Sequence, residues 1–142
     1  MARTRAISVI VLAAITSVTL ILIPAVASAS RPAVPVLGSA HAFPAGTGFG
    51  TVKPKTVYFG GDPTGKFTNL TWTGWGSARS AGKGKGYYPP PSKPVADAVR
   101  VPVTLVASSL GSCNGHLAYR RLAVTFVYKH RNEKGVTRNV CS

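Results

Sequence analysis

The sequence predicts an all-β domain, a small antiparallel sandwich or barrel of about six strands, set behind an N-terminal signal helix and a disordered linker. Three observations lead there. From Lys55 onward, apolar residues recur at every second position in short runs. Clusters of Gly, Pro, Asp and Asn separate those runs. After the N-terminal apolar segment, no stretch keeps a helical period.

Residues 1–29 read as a secretory signal. Arg3 and Arg5 form its basic start, an uncharged apolar run follows from Ala6 to Val26, and Pro24 breaks the helix ahead of "AVASAS". Ala27 and Ala29 occupy the small-residue positions before a cut at Ser30. The rival reading is an uncleaved anchor, since the run is long enough to span a bilayer. Ser8, Thr16, Ser17 and Thr19 dilute it, and only Arg31 follows closely, so cleavage is preferred and no membrane span would then remain. No cysteine lies near the cut, which excludes lipid attachment there.

Residues 30–54 are rich in Ala, Pro and Gly without a sustained period, and read as a flexible or extended linker. The β-rich domain is then 55–142. "KTVYF" is strand-like, with Val57 and Phe59 on one face, and "GGDPTG" is a turn. "KFTNLTW" resumes strand, with Leu70 and Trp72 on one side. In "ARSAGKGKG", Gly82, Gly84 and Gly86 share one side and Arg79, Lys83 and Lys85 the other. The glycine side leaves room for a large neighbour, and the tryptophans across a turn near Gly74–Gly76 are the candidates. The lysine side reads either as a contact surface or as the guard of an edge strand.

"VRVPVTLVA" alternates most cleanly, placing Val99, Val101, Val103, Leu105 and Ala107 on one face. Pro102 lacks a donor, which suggests an edge strand or a bulge. "LGSCNG" reads as a loop and "HLAYRRLAVTFVYKH" as the longest strand. Its inner face is Leu122, Val124, Phe126 and Tyr128; Leu117 and Tyr119 have the opposite parity, so a bulge near Arg120–Arg121 is needed. "RNEKG" is a hairpin turn and "VTRNVC" the last strand. In an exported chain, the two cysteines Cys113 and Cys141 form one disulfide, worth about 3–4 kcal/mol by loop closure.

The formal net charge is +14, and loss of Arg3 and Arg5 with the signal would leave +12. Only Asp62, Asp97 and Glu133 oppose it, so the mature surface is cationic throughout. Such a surface attracts anionic polymers or glycans without recognising a specific nucleic acid, although many exported proteins are basic for solubility alone.

Several chemistries fit poorly. "GGDPTGKF" matches the Gly–Lys spacing of a phosphate loop, but Phe67 stands where Ser or Thr should reach magnesium, and β-type residues follow where a helix should. Paired-carboxylate catalysis needs two acids brought together, and the three here read as turn residues. His116 lies near Ser109, Ser112 and Cys113, yet Cys113 is assigned to the disulfide and no serine has a nucleophile-elbow setting. His41, His116 and His130 are too scattered for zinc. No catalytic residue, metal or cofactor is therefore assigned. The sequon at Asn69 sits in a strand and carries little weight.

"TWTGWGSARSAGKGKGYY" packs Trp72, Trp75, Tyr87 and Tyr88 among cations. One reading has an exposed Trp75 with Tyr87 and Tyr88 stacking on sugar rings or bases while Arg79, Lys83 and Lys85 hold an anion. The other, preferred, has the tryptophans packed in a small β-core, brought together by a bulge at Gly74.

From about Lys55 to Cys141 the chain resembles a group of small secreted actinobacterial proteins of unassigned function. The matching pieces are "GGD", "LTWTGWG", "ARSAGKGKG", "VPVTLVAS" and "SCNGHLAYRRLAVTF", of which the tryptophan–glycine motif is the most specific. "YYPPPSKPVAD" lacks the cysteine often found at that place in the group, so a second disulfide is out of reach. The resemblance implies export and a β-rich domain and brings no catalytic residues.

The leading expectation is a non-enzymatic exported β-domain that binds anionic or glycan surfaces of the envelope or exterior. Arg79, Lys83, Lys85, Arg120, Arg121, Lys129 and Arg131 would supply the charge. A secreted inhibitor or partner-binding module using Tyr87 to Pro94 is the second reading, and an enzyme built on His116 the third. Oligomeric state is not readable from the sequence.

Overall fold

The computed structural model describes residues 32–142; the expected signal lies outside the described residues. Its strands are β1 (Val36–Leu37), β2 (Val57–Tyr58), β3 (Lys66–Thr73), β4 (Arg79–Tyr88), β5 (Val99–Cys113), β6 (His116–Tyr128) and β7 (Arg131–Asn139). They form one seven-stranded sheet in the order β1-β6-β5-β4-β3-β2, with β7 also paired to β6. The sheet curls into a half-barrel, so the all-β expectation holds and the barrel is the form it approaches. Every pairing is antiparallel except β1 with β6, which is parallel.

The expected linker 30–54 is a correction. Within it, Leu37 is fully buried and Phe49 nearly so, and β1 pairs with Ala118 and Tyr119 of β6. Phe43 packs edge-on against Phe59 with centroids 4.9 Å apart. The segment has no period because it meets the core through isolated apolar residues, held by bonds such as Leu37 N–H to Thr51 O and Ser39 N–H to Val140 O. Burying a Leu or Phe contributes about 2 kcal/mol, which a Pro- and Gly-rich composition does not reveal.

The concave side carries the core. Val101, Val103, Leu105 and Ala107 of β5 face Leu122, Val124 and Phe126 of β6 there, as alternation predicts, while Val99 at the strand end stays 39% exposed. Tyr119, Phe67 and Val57 are fully buried. The inner-face parity of β6 changes between Tyr119 and Leu122, where Arg120 and Arg121 are both exposed. The expected irregularity is there, but without a register shift in the β5–β6 ladder. Its partner strand switches at the same level: Ser109 takes a left-handed φ of 58°, and the Arg120 Nε–H donates to Ser109 O at 3.2 Å.

Three further expectations are corrected. "LGSCNG" is not a loop, since β5 continues to Cys113 and a two-residue Asn114–Gly115 turn, both at positive φ, leads into β6. "RNEKG" is not a turn either: the β6 to β7 reversal occurs at Lys129–His130, both at positive φ, and β7 begins at Arg131. Pro102 lies in an interior strand, opposite Lys85 of β4, rather than at the edge of the sheet. It stands one residue beyond Val103↔Phe126, the last pair of the β5–β6 ladder, so its missing N–H interrupts no bond on that side.

The disulfide between Cys113 and Cys141 is present, with Cα atoms 5.5 Å apart. It fastens the chain after β7 to the β5–β6 hairpin. Asp62 caps a 3-10 turn at Pro63–Gly65 and β3 follows directly, so the phosphate-loop look-alike is a hairpin turn.

Candidate functional site

Strand β4 decides which residues face outward. Its glycines face the core because bulky partners stand opposite: Gly82 pairs with Trp72 and Gly86 with Phe67. A Cβ on Gly82 would lie 2.9 Å from Trp72 ring carbons, and one on Gly86 2.8 Å from Phe67 Cδ1. The intervening Lys83 and Lys85, together with Arg79, therefore project from the convex side, where all three are exposed. Strand β4 lies between β3 and β5, so the lysines do not guard an edge.

Register extends this outer face across the sheet. Arg79 pairs with Ser108, which pairs with Arg121. Lys83 pairs with Thr104, Thr104 with Thr125, and Thr125 with Lys134. Tyr87, 38% exposed, pairs with Arg100. With strands about 4.8 Å apart, neighbouring cations on this face stand within roughly 7–14 Å of one another, near the screening length at physiological salt. Thr71, Thr104 and Thr125 fill the ground between them with hydroxyls.

Among the described residues, no outward position of the β3 to β7 ladders is a carboxylate. Asp62 caps its turn, Glu133 pairs with Phe126 on the inner side, and Asp97 ends a second 3-10 turn at Val95–Asp97, whose Val95 and Ala96 border Tyr87. The Asp62 carboxylate accepts from the Thr64 backbone N–H at 2.8 Å and from the Thr64 hydroxyl. The hydroxyl bond, then the backbone bond, holds its pKa below the ordinary 3.8. These bonds tie the charge to its own turn rather than to the basic face.

Other members of the expected set are elsewhere. Trp75 is half-buried, its ring edge-on to Trp72 at 4.9 Å and to Tyr119 at 5.1 Å, and its Nε1–H donates to Pro35 O at 2.8 Å. The Trp72 Nε1–H donates to Pro54 O at 2.8 Å. Both indoles thus clamp the 32–54 segment, and Gly74 and Gly76 at positive φ shape the turn that brings them together. Tyr88 turns inward onto Phe126 and Tyr128, with centroids 5.3 and 5.1 Å away. Arg120 lies against Gly111. Lys129 and Arg131 sit at the far β6–β7 turn, with Lys129 Nζ 5.4 Å from the Tyr128 ring centroid.

Of the expected cations, the structure gathers Arg79, Lys83, Lys85 and Arg121 with Tyr87, and adds Arg100 and Lys134. Alternation within "VRVPV" turns Arg100, with Pro102 and Thr104, away from the apolar face, as the ladder does; Lys134 falls inside "RNEKG", which reads as a turn in the sequence.

His116 opens β6, ten residues before Phe126, the partner of Glu133; at strand rise this separates the two by roughly 30 Å. The hollow beside His116 is lined by Ser39, His41, Cys113 and Asn114 among others, none of them a carboxylate. Asn114 Nδ2–H donates to Ser39 Oγ at 2.9 Å. Among the described residues, no group of three or more His, Cys, Asp or Glu side chains is placed to hold a metal ion.

No protein-family model, curated protein or solved structure matches the chain.

Proposed function

We propose that this chain is an exported, non-enzymatic β-domain that binds anionic polymers of the cell envelope or exterior through the outer face of its sheet. The observation that carries the reading is the segregation of charge. Arg79, Lys83, Lys85, Arg100, Arg121 and Lys134 share one face whose ladder positions, among the described residues, hold no acid. An open, gently curved face of cations and threonine hydroxyls suits a repeating anion such as a phosphate- or carboxylate-bearing polymer. Tyr87 is the one aromatic of the expected set on this side, so charge rather than ring stacking would supply the attraction.

Export is supported by the disulfide, which persists in oxidising compartments, and by the form of residues 1–29. Among the described residues, no helix is long and apolar enough to cross a membrane. The resemblance to small secreted actinobacterial proteins points the same way.

Retention of the chain on immobilised polyphosphate and polyglutamate through a salt series tests the proposal. Retention should weaken steeply as salt rises. Salt-insensitive retention, or none, counts against it; a single stoichiometric protein partner recovered instead would favour the inhibitor reading.

A further inference from the structure

The half-barrel leaves a gap between the β2 side of the sheet and the unpaired edge of β7. In that gap lies a cleft of about 750 Å³. Such a volume falls in the range of small-molecule sites, and the mouth of an open barrel is a common place for one.

The inner surface of the cleft is aromatic. Phe67 and Phe126, both buried, form its floor with centroids 6.1 Å apart. The half-buried Phe43, Phe59 and Tyr88 line its sides. This is apolar surface that the curl of the sheet does not cover.

The walls differ in charge. On the β7 side Arg138 lines the cleft, and its pairing with Leu122 places it on the inner face; Glu133, paired with Phe126, shares that face but does not line the cleft, while Lys134 borders the cleft from a position whose side chain faces outward. On the opposite side stands Asp62, whose carboxylate already accepts two bonds from Thr64. A guest therefore meets rings below, the Arg138 cation on one wall and a satisfied acid on the other. We infer that this cleft binds a small amphipathic anion, with an apolar, ring-bearing body on the aromatic floor and a carboxylate or similar group toward Arg138. The inference is independent of polymer binding on the outer face.

Gly65 offers a direct block. A Cβ there would meet Gly60 O and Phe59 Cβ at 3.5 Å, an ordinary contact, and its φ is not in the left-handed region. A Gly65→Leu side chain can thus enter the cleft without backbone strain.

The test measures binding of 2-naphthoate and its neutral counterpart 2-naphthylmethanol to the full chain by NMR titration. Naphthoate should bind at least tenfold tighter than the alcohol, shifting Phe126 and Tyr88. Gly65→Leu should weaken naphthoate at least tenfold, and Arg138→Gln should bring it to the level of the alcohol. Arg138 is exposed, so that second variant remains informative if Gly65→Leu fails to fold. The inference is overturned if neither probe binds, if the alcohol matches the acid, or if naphthoate is indifferent to Arg138→Gln. It is equally overturned if naphthoate binding is lost in K83Q/K85Q, which would mean that the probe sits on the outer face.

Discussion

Trp72 lies across the β3–β4 ladder from Gly82, so close that a methyl group on Gly82 would stand 2.9 Å from its ring carbons. That contact sets the sidedness of β4. With the indole on the core side, the glycines must face it and the lysines between them must face water. The same pair therefore fixes both the core and the candidate binding face.

Gly82→Ala should accordingly lower stability by about 1–3 kcal/mol through overpacking, partly offset by the reduced freedom of the unfolded chain. Thermal unfolding followed by near-ultraviolet circular dichroism would show a fall of several degrees and a changed tryptophan signal. An unchanged melting temperature would mean that the indole is not seated on Gly82.

Tyr119 joins the core to the tryptophan turn. Its hydroxyl accepts from the Gly76 N–H and donates to Ser77 O, both at 2.8 Å, while its ring is fully buried. Tyr119→Phe keeps the ring and removes both bonds, and should cost about 1–2 kcal/mol in chemical denaturation. Faster hydrogen exchange at Gly76 should accompany the loss.

Much of this was legible in the residues themselves. Alternation places Leu105, Leu122 and Phe126 inward because a strand exposes one face to the core and the other to water. The pairing of Gly82 with Trp72 follows from the same period once a turn lies between them, whereas Gly84 and Gly86 meet Leu70 and Phe67 rather than a second tryptophan. What pattern does not show is tertiary. Leu37 and Phe49 enter the core from a segment without periodicity, and its clamps, Pro35 O and Pro54 O on the two indoles, are contacts across 40 and 18 residues. The Lys129–His130 turn escaped because neither residue advertises positive φ as glycine does, while Gly135 a few positions later drew the turn away from it. As a result Lys134 was missed from the basic face.

The disulfide joins Cys113 to Cys141 across 28 residues, tying down the chain after β7. Reduction, or Cys113→Ser with Cys141→Ser, should remove about 3–4 kcal/mol. Urea unfolding with and without reductant would show the midpoint fall. Exposed β7 should lose amide protection before β4 and β5, which the sheet encloses.

Asp62 gives a pH signature. Its pKa in the folded chain is lowered by the Thr64 bonds, so its contribution is present above the ordinary value of 3.8 and is lost as pH falls through the folded value. Carboxyl-carbon NMR should find Asp62 titrating below 3.8. In Thr64→Ala, which removes the larger of the two bonds, the midpoint should move back up. An unmoved midpoint would contradict the assigned cause.

The outer face is tested most directly by neutralising its centre. In K83Q/K85Q, affinity for soluble polyphosphate should drop, and the slope of log K against log salt should shrink by about two, roughly one for each contact removed. K129Q/R131Q removes the same charge from the far turn and should leave the slope nearly unchanged. Equal losses in the two variants would contradict the account, since net charge alone, with no preferred face, would then explain the binding.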